Sequence, residues 1–258
     1  MVVRGLSDKV AIVVGGAGGI GTATCVRLAE EGCSVAVGDL DAAAARGVAE
    51  TITAAGGRAF GRATDIREED HVRALIGETV ERYGGLDILH ANAADLSPAA
   101  IGRDSDVVDL PLEAFDLTIR AGLRGHLLCA RHAMPVLVEW GGGALIFTSS
   151  GSAFAGEPQR PSYAIAKSGL GALIRHIASR WGKQGVRANA VAPGLVQTEQ
   201  NLALLQGEHT LDHILGTIRA PRVGRPSDIA AMVAFLASDD GEWITGQVIA
   251  VDGGSTMR

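Results

Sequence analysis

The chain has 258 residues, 47% apolar and 20% charged, with 35 Gly and few aromatics (5 Phe, 3 Trp, 2 Tyr). This excludes a disordered chain. The 23 basic against 29 acidic residues, net −6, argue against nucleic acid as a partner, since phosphate neutralisation needs a basic face. Cys25, Cys33 and Cys129 have no metal-ligand spacing and are too few for a disulfide framework, which suits a reducing cytoplasm.

In chain order, Val10–Val14 is an apolar run that predicts a buried strand. It is too short for a signal peptide or a membrane span, so a cytoplasmic protein with no membrane association is expected. A glycine turn leads to a helix from about Ile20 to Glu31, ended by Gly32. Ser34–Val37 is the second strand, and Ala42–Ala55 is a helix closing at Gly56 and Gly57. Ala59–Thr64 predicts a third strand and Glu68–Tyr83 a third helix. Leu86–His90, Gly143–Thr148, Arg187–Ala192 and Gln247–Val251 are further strands, and Leu112–Trp140 and Tyr163–Gly182 are long helices. Continuous apolar strands alternating with helices predict an α/β fold. The expectation is a single doubly wound domain over residues 1–258, with a mostly parallel seven-stranded sheet flanked by helices on both faces.

Gly15-Gly16-Ala17-Gly18-Gly19-Ile20-Gly21 lies between the first strand and the first helix. Glycines there let the backbone approach a pyrophosphate, whose charge the helix N-terminus favours. Two registers are open: Gly16, Gly18 and Gly21 fit GxGxxG, while Gly15, Gly19 and Gly21 fit GxxxGxG. Asp39 follows the second strand, 20 residues beyond Gly19, where a carboxylate can accept from an adenosine ribose diol and repel a 2′-phosphate. NAD is therefore expected as the cofactor rather than NADP. Tyr163 and Lys167 are four apart on a helical stretch and share a face. A phenol titrates near 10 in water, and a nearby cation favours its oxyanion. Ser150 stands 13 residues before Tyr163, at the end of the Gly143–Thr148 strand.

With these residues the sequence resembles the short-chain dehydrogenase/reductase family over nearly its whole length. The glycine loop looks like the family's TGxxxGxG motif in the Gly15, Gly19, Gly21 register, with Val14 where Thr is usual. Asp65-Ile66 looks like the pair that contacts adenine. Pro193-Gly194-Leu195-Val196-Gln197-Thr198 matches PGxxxT, and Ser150, Tyr163 and Lys167 match the catalytic triad. His90-Ala91-Asn92-Ala93-Ala94 replaces NNAG and keeps its second Asn. The resemblance implies a Rossmann-type fold and reversible hydride transfer between a secondary alcohol or ketone and nicotinamide. Tyr163 would be the acid–base, Ser150 would bond the substrate oxygen, and Lys167 would hold the nicotinamide ribose and lower the tyrosine pKa. Cofactor contacts would come from Gly15, Gly19, Ile20, Gly21, Asp39, Leu40, Asp65, Ile66, Asn92, Ala93, Tyr163, Lys167, Pro193, Val196 and Thr198.

The main departure is Gly122, in Ala121-Gly122-Leu123-Arg124-Gly125, where the family usually carries an Asn that anchors a water beside the lysine. Either a water bonded to backbone carbonyls preserves the relay, or turnover is slow, or the replacement is an engineered or chance one; Gly122→Asn is expected to raise kcat. Residues 198–221 should form a substrate lid. Within it His209 and His213 lack a third ligand, so no metal is expected. The acidic connection Asp95–Glu113 and the segment with Ala153, Phe154, Glu157 and Gln159 are candidates to face a small-molecule substrate. The family packs its two long helices across subunits, which implies a homotetramer, with a dimer as fallback. Two other functions stay open: an NADPH-dependent 3-oxoacyl thioester reductase, and an NAD-binding sensor or scaffold with weakened chemistry.

Overall fold

In the computed structural model, residues 3–199 and 215–257 are described. The first half alternates β1 (Val10–Val14), α1 (Gly19–Glu30), β2 (Ser34–Asp39), α2 (Ala42–Ala54), β3 (Arg58–Ala63), α3 (Glu69–Tyr83) and β4 (Ile88–Ala91). The second half runs α4 (Leu112–Ile119), α5 (Gly125–Glu139), β5 (Gly143–Thr148), α6 (Pro161–Trp181), β6 (Val186–Pro193), α7 (Pro226–Ala237) and β7 (Val248–Val251). The seven strands form one sheet in the order β3-β2-β1-β4-β5-β6-β7. All its pairings are parallel, rather than mostly so.

Parallel strands need both faces covered, and the sequence supplies this by burying every residue of β1. Ile12 and Val14 face one apolar cluster with Leu89, Phe147, Leu170 and Ile174, while Ala11 and Val13 face another with Leu28, Ile146, Ile229 and Val233. Each such Leu, Ile or Val contributes roughly 1.5–3 kcal/mol by leaving water. Local signals set the helix ends. Asp41 caps α2 by accepting from the Ala43 and Ala44 N–H groups at 2.8 and 3.0 Å, and Gly84 ends α3 in the left-handed conformation at φ 89.

Two elements differ from the sequence expectation. No element is assigned there to 226–237, yet Pro226 opens α7, with the Asp228 carboxylate accepting from the Arg225 N–H at 2.7 Å. The single helix expected over Leu112–Trp140 is interrupted by a π-helical turn at Arg120–Arg124. Across this widened turn the His126 ring nitrogen Nδ1 meets the Ala121 carbonyl at 3.2 Å.

The chain builds β1, β2 and β3 outward in one direction, then crosses back to lay β4 on the other side of β1. At such a switch point the loops leaving the two central strands diverge and leave a crevice at the C-terminal edge. The segments after β1 and β4 meet there, with the Asn92 and Ala93 N–H groups both donating to Val14 O, at 2.9 and 3.0 Å.

Candidate active site

The glycine loop is shaped by two close approaches. Gly15 adopts φ +76, and a Cβ on it would lie 2.7 Å from the Ala93 backbone. A Cβ on Gly21 would collide with the Gly15 carbonyl oxygen, so only glycine lets α1 begin this near the loop. Gly18 precedes α1 with no side-chain cap and no acidic residue follows in the first turn. The N–H groups of Gly19, Ile20 and Gly21 therefore have no intrahelical acceptor, which makes this helix end a seat for an anion.

The other expected cofactor residues surround that loop. Asp39 ends β2 with one carboxylate oxygen accepting from the Ala17 N–H at 2.9 Å and the other from the Asp41 N–H at 3.2 Å. Leu40 beside it is 67% exposed. Thr198 lies over the loop, its Cγ2 being 2.8 Å from where a Cβ on Gly19 would stand. Pro193 closes β6, paired in register with Val251, and Val196 is buried and bridged to Gly224. Asp65 is committed differently: Arg67 grips its carboxylate through Nε and Nη2 at 2.9 and 2.8 Å, and these bonds hold its pKa below the ordinary range. The Ile66 side chain is buried against Gly125 and the α3–α5 core. Residues 200–214, most of the expected lid with His209 and His213, lie outside the described residues. Among the described residues no cluster of His, Cys, Asp and Glu could hold a metal ion.

Ser150, Tyr163 and Lys167 come together at the same edge of the sheet. Ser150 follows β5, and its Oγ accepts from the Ser152 N–H at 3.2 Å. The Ser150 hydroxyl also faces the Tyr163 phenol and favours its oxyanion. Burial pushes that phenol above its usual pKa, while Ser150 and the Arg160 charge pull it down and Glu157 opposes them. Lys167 is 2% exposed; its Nζ lies 5.6 Å from the Tyr163 ring centroid and donates to the Thr148 carbonyl at 2.7 Å. Burial lowers the Lys167 pKa to about 8.

A hydrogen-bond chain joins this edge to the glycine loop. The Thr148 hydroxyl donates to Asn92 Oδ1 at 2.9 Å, and Asn92 Nδ2 donates to Gly15 O at 2.9 Å. Since the hydroxyl hydrogen is used, His90 Nε2, 2.8 Å from the same Oγ1, carries the proton and donates. His90 Nδ1 is then a buried acceptor without a partner among the described residues. Burial, reinforced by the Lys167 charge, drives the His90 pKa to about 3 and keeps the ring neutral. Sequence reasoning missed Thr148 and His90 as a pair, and their only signal was that His90 stands where the family motif has an Asn. At Gly122, where vacant space is expected, α6 approaches on one side: a Cβ placed there would sit 3.2 Å from Ala166 Cβ, next to Lys167.

A parallel sheet with a glycine cradle at its switch point and a Ser, Tyr, Lys cluster on its C-terminal edge defines a dinucleotide-binding oxidoreductase framework. A family model described as enoyl-(acyl carrier protein) reductase matches residues 15–256. The chain is 43% identical over 252 residues to a probable short-chain type dehydrogenase/reductase of Bradyrhizobium diazoefficiens, covering 95% of this chain and 86% of that one. It is 38% identical over 252 residues to the cis-4-hydroxycyclohexanecarboxylate dehydrogenase of Sinomonas cyclohexanicum, covering 97% of both. A solved 7α-hydroxysteroid dehydrogenase complexed with NADH and 7-oxo glycochenodeoxycholic acid superposes with a TM-score of 0.90 at 29% identity, covering 99% of this chain and 96% of that one. The chain belongs to the short-chain dehydrogenase/reductase family and is an oxidoreductase.

Proposed function

We propose that the protein transfers a hydride between a secondary alcohol or ketone and NAD, with Tyr163 as the acid–base. The observation that carries this is the convergence of Ser150, Tyr163 and Lys167, with the Lys167 ammonium 5.6 Å from the Tyr163 ring centroid and the Ser150 hydroxyl facing its phenol. The relatives named for a hydroxycyclohexane and for a steroid support ring-borne secondary alcohols as the first substrates to try.

The chain's own residues fit a nicotinamide dinucleotide. Crowding at Gly15 and Gly21 leaves backbone where side chains would stand, and the capless start of α1 offers N–H groups to the pyrophosphate. Asp39 would take the adenosine ribose hydroxyls, Asn92, Pro193, Val196 and Thr198 would line the nicotinamide end, and Lys167 would hold its ribose. When bound, that nicotinamide supplies the hydride chemistry. In the oxidative direction Tyr163 Oη removes the hydroxyl proton, and Ser150 Oγ holds the substrate oxygen and opposes its drift as charge develops. Ser150 and the Arg160 charge favour the oxyanion form that accepts the proton, against the burial that raises the phenol's pKa and the Glu157 charge. Leu112, Leu127 and Ile165, at 73, 49 and 50% exposure on α4, α5 and α6, support assembly into a homotetramer through those helices.

The description of the matching family model keeps a thioester-linked reductase in view. Asp39 argues against it, since a carboxylate at the end of β2 repels the 2′-phosphate of NADP. The test is turnover of alicyclic, steroid, terpenoid and sugar alcohols with NAD and with NADP separately, followed by absorbance of the reduced ring. The proposal expects at least a tenfold preference for NAD in kcat/KM. A preference for NADP would favour the thioester reductase, and NAD binding with no oxidation across the panel would favour a sensor.

A further inference from the structure

The acidic connection between β4 and α4 reaches the catalytic helix through one buried side chain. Asp104 is 4% exposed and follows the 3-10 turn Ile101–Arg103. One of its carboxylate oxygens accepts from the Ser162 N–H at 3.1 Å and the Ser162 hydroxyl at 2.8 Å. The other accepts from the Tyr163 N–H at 2.9 Å. The same two segments are tied again through the backbone, the Arg160 N–H donating to the carbonyls of Asp104 and Ser105 at 3.1 and 2.9 Å. Arg160 turns the chain into α6 from the left-handed region, φ 63 and ψ 46, and provides no side-chain cap. The first N–H groups of a helix have no intrahelical acceptor, and helix ends fray. Tyr163 is the third residue of α6, so its backbone lies in that vulnerable turn. The acceptor comes from 58 residues away, as a carboxylate at the positive end of the helix dipole.

We propose that Asp104 is a positioning residue for the reaction: by gripping the Ser162 and Tyr163 backbone from the loop at the C-terminal edge of the sheet, it fixes where the phenol presents its oxygen. This rests on Tyr163 being the acid–base. Hydride transfer coupled to proton transfer demands a near-attack geometry, and a displacement of about 1 Å in a reacting group can cost on the order of a hundredfold in rate. Asp104 touches neither substrate nor cofactor in this account and acts through the first turn of α6.

The experiment compares Asp104→Ala and Asp104→Asn with the wild-type protein, using an alcohol found active in the panel. Asp104→Asn keeps the volume and one acceptor but sets an amide N–H against a backbone N–H, so it tests the same grip if the alanine variant does not fold. Measured are kcat and KM, the NADH dissociation constant by fluorescence, the deuterium isotope effect on kcat from an alcohol labelled at the carbinol carbon, and Tm. The proposal expects kcat to fall about 30- to 100-fold for Asp104→Ala and about fivefold or more for Asp104→Asn, the estimate following the cost of misplacement. It also expects an NADH affinity within about twofold of wild type and an isotope effect that rises as chemistry becomes rate-limiting. A purely structural cap would lower Tm and the active fraction while leaving kcat per active site and the isotope effect unchanged, and that result would overturn the proposal. If Tyr163→Phe abolishes turnover while both Asp104 variants match wild type, this inference alone fails. If Tyr163→Phe retains turnover, the acid–base assignment itself is wrong.

Discussion

Asn92 Nδ2 donates to the carbonyl of Gly15 at 2.9 Å, joining the residue after β4 to the first glycine of the loop after β1. Thr148 Oγ1 fixes the orientation of that amide from β5, and His90 donates to the same hydroxyl. Three adjacent strands thus set the position of the carbonyl at the start of the glycine loop. Thr148→Val preserves shape and the backbone carbonyl that receives Lys167, but strips both neighbours of their partner. Leaving a buried donor or acceptor unpaired costs about 1–3 kcal/mol, so the variant should lose roughly 2–4 kcal/mol in denaturant unfolding and bind NADH more weakly. Thr148→Ser restores the hydroxyl and should recover most of both.

The two buried histidines make stability depend on pH in a defined window. His90 and His126 both have pKa values lowered by burial to about 3, from 6.5. The unfolded chain therefore binds more protons than the folded one between these values. Their contribution is fully present above 6.5 and is lost as pH falls toward about 3. The slope is about 1.4 kcal/mol per pH unit for each ring. Carboxylates held below their ordinary pKa, such as Asp65, add to acid lability only at lower pH. Urea unfolding of wild type and His126→Phe, repeated across the mildly acidic range, should show roughly half the slope in the variant.

Lys167 acts in the same sense, in a window at higher pH. Its pKa is lowered to about 8 from 10.5, so the unfolded state again binds more protons and stability rises with pH between those values. At neutrality the buried ammonium is a cost, partly offset by its bond to the Thr148 carbonyl. Lys167→Met should be inactive or nearly so, yet about 2 kcal/mol more stable near pH 7, and its stability should no longer climb through the alkaline window. Unfolding curves measured from neutral to alkaline pH check both statements.

At Gly122 two effects compete. Replacing glycine in a helix by alanine gains up to about 1 kcal/mol in propensity, but overpacking a filled core costs typically about 1–3 kcal/mol. Ala166 Cβ, 3.2 Å from the new Cβ, must give by a few tenths of an ångström, and this crowding should outweigh the propensity gain. Gly122→Ala should lower stability by about 1 kcal/mol, and Gly122→Asn by more. Both should lower turnover, because the residue that must yield adjoins Lys167. This reverses the gain in kcat expected for Gly122→Asn from sequence. Ala166→Gly in the same chain should rescue both properties, as judged by Tm and kcat.

Much of this architecture was legible before any coordinates, because apolar strands and Ala-rich helices differ in period and the glycine stops fall between them. Gly15, Asp39, Ser150, Tyr163 and Lys167 could be singled out because their spacings relate to a strand end or a helix face. What sequence could not show depends on contacts between distant residues. Asp104 was one of several acids in a polar loop, and its partners lie 58 and 59 residues on. The π turn at Arg120–Arg124 keeps a helical pattern, and only the approach of Ala166 shows why glycine suits it. Helix α7 is different: Pro226 and Asp228 are ordinary start signals for the apolar run that follows, and the element was readable there.

The central claim is that the Tyr163 phenol carries the proton. Removing its oxygen by Tyr163→Phe should lower kcat for an active alcohol by about a thousandfold or more, within the usual range for a general acid–base group, with NADH affinity and Tm essentially unchanged. A Phe variant that folds, binds NADH and turns over within about threefold of wild type, far above what loss of such a group permits, would contradict it.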